Sequence, residues 1–91
     1  MVARRYYVSG DVQGVGFRYF VLQEVQRIGS IRGFVRNLRD GRVEVYAEAE
    51  EPRILDFEAV LRKGPRGASV DRLDMIQETV EGRYPDFRIT F

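Results

Sequence analysis

Tyr6-Tyr7-Val8-Ser9-Gly10-Asp11-Val12-Gln13-Gly14-Val15-Gly16-Phe17-Arg18-Tyr19-Phe20-Val21 changes its hydrophobic period partway along, and that change sets how the chain begins to fold. Up to Val12 the pattern alternates. Tyr6, Val8, Gly10 and Val12 fall on one side and Arg5, Tyr7, Ser9 and Asp11 on the other, as in a strand with one buried face. From Phe17 the period is helical: Phe17, Phe20, Val21, Val25 and Ile28 share a face, Arg18, Gln23, Gln26 and Arg27 lie off it, and Gly29 is a natural stop. Between strand and helix run three glycines, Gly10, Gly14 and Gly16. A loop of this kind can turn several backbone N–H groups toward one point. A phosphate could sit there on the positive end of the helix, with the Arg18 guanidinium closing the cage.

Beyond Gly29 the pattern predicts a second strand over Ile31–Leu38 and a third in which Val43, Val45, Ala47 and Ala49 alternate with Arg42, Glu44, Tyr46 and Glu48. Asp40-Gly41 between them tolerates positive φ, so the two strands should form a hairpin. Pro52, with Glu50 and Glu51 beside it, marks a helix start; Ile54, Phe57 and Leu61 give that helix an apolar stripe, and Gly64-Pro65 ends it. Val70 to Val80 reads as a fourth strand with an irregularity, because Val70 and Leu73 are out of phase with Met75. Phe87, Ile89 and Phe91 alternate with Arg88 and Thr90 as a short closing strand. The order is βαββαβ plus that last piece. It predicts an α+β fold, a ferredoxin-like sandwich with two helices on one face of an antiparallel sheet, forming a single domain over residues 1–91.

Composition narrows the chemistry more than the fold. The chain of 91 residues contains no Cys and no His. Disulfides, thiol nucleophiles, imidazole bases and zinc sites built on those ligands are therefore impossible. A net charge of +1, from 15 basic and 14 acidic residues, makes no case for nucleic acid or a membrane surface. No apolar run reaches the roughly 20 residues that cross a bilayer, and the expected setting is cytoplasmic. The carboxylate pairs Glu50-Glu51 and Asp71/Asp74 read as solvated faces, and no metal site is expected.

On local grounds the glycine loop has two readings. Gly14-Val15-Gly16 runs into Phe17-Arg18, so the Gly-Lys-Ser/Thr of a nucleotide P-loop is absent, and Tyr19 stands where a dinucleotide fingerprint needs a small residue. What remains is a phosphate cradle or a tight turn whose glycines only solve a backbone problem. Arg18 is likewise either an anion-binding group or a solvated surface residue. Asn37 alone is either a site residue or a cap on the hairpin.

At this point a resemblance becomes specific. The segment Gly10-Asp11-Val12-Gln13-Gly14-Val15-Gly16-Phe17-Arg18 resembles a signature of the acylphosphatase family, and Gly33-Phe34-Val35-Arg36-Asn37-Leu38-Arg39-Asp40-Gly41-Arg42-Val43-Glu44 resembles that family's second signature. The tail Tyr84-Pro85-Asp86-Phe87-Arg88-Ile89-Thr90-Phe91 is similar to its closing strand, so the likeness covers nearly the whole chain. The resemblance implies hydrolysis of small-molecule acyl phosphates to a carboxylate and inorganic phosphate, without metal or cofactor, by a monomer. It implies Arg18 as the phosphate-binding arginine and Asn37 as the residue that positions water. The backbone from Gly10 through Asp11, Val12, Gln13, Gly14, Val15 and Gly16 to Phe17 would form the cradle. Two departures stand out: Asp11 in a slot often filled by arginine, and Gln26-Arg27 where an alanine-rich flavour is usual.

Two other readings remain open at this level. RNA-recognition domains share the βαββαβ order, and Arg32-Gly33-Phe34-Val35 echoes part of their aromatic motif, though on the second strand where the third is expected, with only Tyr46 facing outward from the third. A domain that binds phosphate without turning it over is the other; the chain also resembles the N-terminal portions of hydrogenase-maturation carbamoyltransferases.

Overall fold

In the computed structural model, which describes all 91 residues, the chain forms β1 (Val2–Asp11), α1 (Phe17–Ile28), β2 (Arg32–Asn37), β3 (Val43–Ala49), α2 (Glu51–Lys63), β4 (Ser69–Glu78) and β5 (Phe87–Ile89). The sheet order is β4-β1-β3-β2-β5. The first four strands pair antiparallel, and β5 adds to β2 in parallel. This is the ferredoxin-like α+β sandwich that the order of elements predicts.

The helices dock through the stripes read from the sequence. Phe17, Val21 and Val25 of α1 and Ile54, Phe57 and Leu61 of α2 are buried. Each such side chain contributes roughly 1.5–3 kcal/mol when removed from water, which outweighs the intrinsic helix propensity of segments this short. Phe57 reaches both Tyr6 and Phe87 edge-on, with ring centroids 6.2 Å apart in each case. At the end of α1 the Gly29 N–H donates to the Val25 carbonyl at 2.8 Å, and the Arg53 guanidinium from α2 donates to the carbonyls of Ile28 and Gly29. The orphan carbonyls of one helix are thus satisfied by the first turn of the other.

The expected irregularity in β4 is a bulge. Ser9 faces Arg72 while Gly10 faces Val70, so Asp71 is the extra residue and the strand changes phase there.

The alternation read in β3 does not translate into one wet face. All seven of its residues are buried, including Glu44, Tyr46 and Glu48. The reason lies in the connection after β4. β4 and β5 occupy opposite edges of the sheet, so residues 79–86 must cross it, and they do so on the side away from the helices. Tyr84 lands against Tyr46 (5.1 Å between centroids) and Phe34 (6.0 Å). The Glu48 carboxylate accepts the Tyr46 hydroxyl at 2.6 Å and the N–H groups of Glu81 at 2.8 Å and Gly82 at 3.3 Å. Glu44 is held by Arg36 at 2.5 Å and Arg5 at 2.8 Å. Tyr46 is therefore filled-in structure, not the outward aromatic that a stacking platform requires.

These two glutamates give the fold a pH dependence. Burial by itself pushes each carboxyl up. The Arg36 and Arg5 guanidinium groups outweigh that at Glu44, and the Tyr46 hydroxyl with two backbone N–H groups outweighs it at Glu48, leaving both below the usual carboxylate range. A depressed folded-state pKa stabilises above the unfolded value, near ~4.3 for Glu, and that stabilisation disappears as pH falls through the folded value. Urea unfolding followed from pH 7 to pH 2.5 should lose stability from about pH 4.5 downward. Glu48→Gln should be less stable at pH 7 and flatter below pH 4.5; an unchanged slope would show that Glu48 is not a source of the acid sensitivity.

Candidate active site

The loop between β1 and α1 is fixed at both ends by buried apolar side chains, Val12 at 1% exposure and Phe17 at 2%. Between them Gly14 (φ 76°) and Gly16 (φ 77°) take left-handed backbone. A Cβ at either would meet no atom within 4 Å, so glycine is required there by conformation and not by crowding. Gly10 differs. It lies within β1 opposite Val70, and a Cβ on it would come 2.2 Å from the Ser69 carbonyl oxygen. Here the close approach of two strands adds to the demand of a positive φ of 125°.

The helix that follows has an uncovered positive end. Gly16 is the N-cap residue of α1 with no side-chain cap, and the first turn carries no acidic residue. The first bond of the helix is Phe20 N–H to the Gly16 carbonyl at 3.0 Å, while the N–H groups from Gly14 to Tyr19 have no acceptor within the chain. Arg18 adds a full charge at this pole. Nine other arginines pair with carboxylates, but Arg18 does not; its guanidinium carbon sits 5.2 Å from the Phe91 ring centroid. A cation at a helix N-terminus is unfavourable unless an anion lies with it. The combination of free N–H donors and an unpaired guanidinium suits a small oxyanion.

Asn37 ends β2, opposite Val43. The hairpin beyond it is closed by other groups: the Asp40 carboxylate accepts the Arg42 N–H at 3.0 Å and its guanidinium at 2.8 Å, and Leu38 N–H donates to the Arg42 carbonyl at 2.8 Å. The Asn37 carboxamide makes no hydrogen bond within the chain, so the capping duty falls on Asp40.

Gln13 joins the two halves. Its Nε2 donates to the carbonyl of Leu38 at 2.7 Å and to that of Arg42 at 2.8 Å, tying the glycine loop to the base of the hairpin directly after Asn37. Arg18 and Asn37 thereby share one hollow of about 160 Å³, lined by Val12, Gly14, Gly16, Phe17, Arg18, Tyr19 and Asn37. Four of the residues expected in the cradle lie outside its lining. Gly10 and Asp11 belong to β1, Gln13 turns to the hairpin, and Val15 packs against the core. Tyr19, which in the sequence served only to exclude a dinucleotide fingerprint, is in it. Its position directly after Arg18 was the available signal.

A wider groove of about 790 Å³ runs between the helices, but its Arg27 is paired with Glu24 and no free backbone donors are grouped in it. No group of three or more carboxylates converges anywhere in the chain, and no helix is long and apolar enough to cross a membrane.

Comparison with known proteins bears on what such a hollow is for. A family model described as acylphosphatase matches residues 4–89. The chain is similar to an acylphosphatase of Archaeoglobus fulgidus, 41% identical over 91 residues and covering all of both chains. Its fold matches the crystal structure of acylphosphatase from Bacillus subtilis with a TM-score of 0.94 at 34% identity, again over the whole of both chains. It also matches, with a TM-score of 0.86 at 29% identity, full-length HypF in a phosphate- and nucleotide-bound form; there 99% of this chain corresponds to 12% of the other.

The Gln13 bridge makes a prediction of its own. Leu38 and Arg42 carbonyls each keep a backbone donor when the amide is removed, so Gln13→Leu should cost only about 1–2 kcal/mol of stability. It should nonetheless weaken inorganic phosphate binding several-fold by calorimetry, because loop and strand end lose their common tether. Full phosphate affinity in this variant would mean that the bridge does not shape the hollow.

Proposed function

The chain belongs to the acylphosphatase family, and on that premise we propose that it hydrolyses acyl phosphates by in-line attack of water on phosphorus. The observation that carries the reading is the single hollow in which Arg18, the glycine-loop backbone and Asn37 meet. In this reaction the water oxygen bonds to phosphorus as the bridging P–O bond breaks. The bonding pair leaves on the carboxylate, and both water protons depart with the phosphate.

Little else is needed. A carboxylate with a pKa near ~4 leaves without being protonated, so no general acid is required. Phosphoryl transfer is loose, with little bond formation to the attacking oxygen, so a strong base is dispensable too. Catalysis then reduces to position and charge. The N–H groups of Gly14 to Tyr19 and the Arg18 guanidinium hold the equatorial oxygens, and the Asn37 carboxamide, free of other bonds, orients the water. Of the expected cradle, Gly14, Val15, Gly16 and Phe17 supply backbone donors, Val12 forms part of the wall, and Gly10, Asp11 and Gln13 hold the frame. A chain without His or Cys has every group this mechanism uses. The substrate is a small-molecule acyl phosphate, the product includes inorganic phosphate, and the acting form is a monomer located in the cytoplasm.

Benzoyl phosphate hydrolysis, measured in the presence of EDTA, tests the reading. Arg18→Ala should raise KM and lower kcat, and Asn37→Ala should lower kcat by about 100-fold or more with KM little changed, since its contact strengthens only in the transition state. Full activity in both variants would remove the assignment. A wild-type protein that binds phosphate but leaves benzoyl phosphate no less stable than buffer does would identify a binding domain in place of an enzyme.

A further inference from the structure

Most of the 15 basic side chains are committed inside the chain: nine arginines to carboxylates, and Arg53 to the carbonyls of Ile28 and Gly29. Arg18, Arg32, Arg39, Lys63 and Arg66 have no such partner. Two of these, Lys63 and Arg66, are exposed and line the same groove of about 790 Å³ between the helices. Its apolar surface comes from the half-buried Phe20 of α1 and Val60 of α2. The other charges in its lining are spoken for: Arg27 and Glu24 pair at 3.0 Å, and Asp56 acts on that same guanidinium. The positive charges of Lys63 and Arg66 remain. The negative pole of α2 accounts for a base in its last turn, but Arg62 also stands there, and Arg66 lies beyond the helix end.

This groove differs in kind from the hollow at Arg18. It groups no free backbone donors, so it does not cage a phosphoryl group. It sets two cationic heads beside an apolar wall, at a size within the roughly 300–1,000 Å³ of small-molecule sites. The wall is backed by the core, since the Phe20 ring packs on buried Phe17 with centroids 5.9 Å apart. The stems of Lys63 and Arg66 extend it while their charges stay in water. We propose that this groove binds an amphipathic organic anion, its aliphatic or aryl body against Phe20 and Val60 and its carboxylate or phosphate head on Lys63 and Arg66. A head group alone gains little from exposed charges that salt screens. A neutral hydrocarbon leaves both cations unused. A ligand carrying head and body together is complementary to both halves of the lining. The inference does not rest on the hydrolytic reading.

The test uses the intact chain with octanoate and octyl phosphate as probes, and acetate and octanol as the separate head and body. Backbone amide shifts locate the binding and calorimetry measures it. Octanoate should move the amides of Phe20, Val60, Lys63 and Arg66. It should bind about tenfold tighter than acetate, as burial of roughly two methylene groups gives, and tighter than octanol, which has no charge for the two bases. Lys63→Ala and Arg66→Ala should each weaken it several-fold. Arg32→Ala, which removes an equally unpaired arginine elsewhere, and Arg18→Ala, which strips the hollow, should leave it unchanged. Lys63 and Arg66 are exposed, so folding of their alanine variants, checked by circular dichroism, should survive. In the Arg18→Ala background the tighter of octanoate and octyl phosphate identifies the head group, and either order upholds the groove. Octanoate no tighter than acetate, shifts confined to Gly14–Tyr19, or full affinity in both alanine variants would overturn it. The groove shifts in a protein inactive toward benzoyl phosphate would uphold the groove while removing the hydrolytic reading.

Discussion

Six consecutive backbone N–H groups, Gly14 to Tyr19, have no acceptor in the chain, and much of the structure can be understood as holding them in place. Unpaired donors of this kind are costly when buried and tolerable when they face water or an anion. They stay together because the loop is short and anchored at each end, by Val12 under the sheet and by Phe17 at the head of α1. Phe17, Val21 and Val25 then fix the direction of the helix, so its positive end and Arg18 stand over the end of β2. A dipole and a guanidinium that would repel each other in isolation become a favourable pair once a phosphate lies between them.

The opposite face of the sheet supports the same arrangement by different means. Residues 79–86 cross from one edge to the other and are held by the Glu48 carboxylate and by the packing of Tyr84 on Tyr46 and Phe34. This delivers β5 beside β2, where it buttresses the strand that ends in Asn37 and carries the chain on toward Phe91 and Arg18. The buried glutamates on that face are paired and hydrogen-bonded, as their removal from water demands. The sheet is thus covered on both sides over its central strand, and the same topology that could display an aromatic platform for nucleic acid here spends those rings internally.

Legibility differed from residue to residue, for physical reasons. The stripes of α1 and α2, the Asp40-Gly41 hairpin and the phase break between Val70 and Leu73 follow from short-range periodicity and turn chemistry, which a sequence carries directly. Arg18 and Asn37 were legible as a pair only through two motifs taken together, since each alone reads equally well as a surface or turn residue. Gly10 and Gln13 looked like more of the same loop. Gly10 instead answers to the Ser69 carbonyl in β4 and Gln13 to the carbonyls of Leu38 and Arg42, partners that lie distant in sequence. Tyr46 and Glu48 alternate as solvent-facing residues should; they are buried because a later segment lies over them.

By itself the sequence determined the order of the elements, the faces they bury, the absence of thiol and imidazole chemistry, and the one loop able to gather backbone donors. Those properties depend on neighbours within a few residues or on composition alone. Tertiary structure decided at which glycine crowding adds to conformation, where the outer face of β3 ends up, and that the exposed rings of Tyr19 and Phe91 flank Arg18. These follow from the packing of segments far apart in the chain, and contacts of that range leave no local period to read.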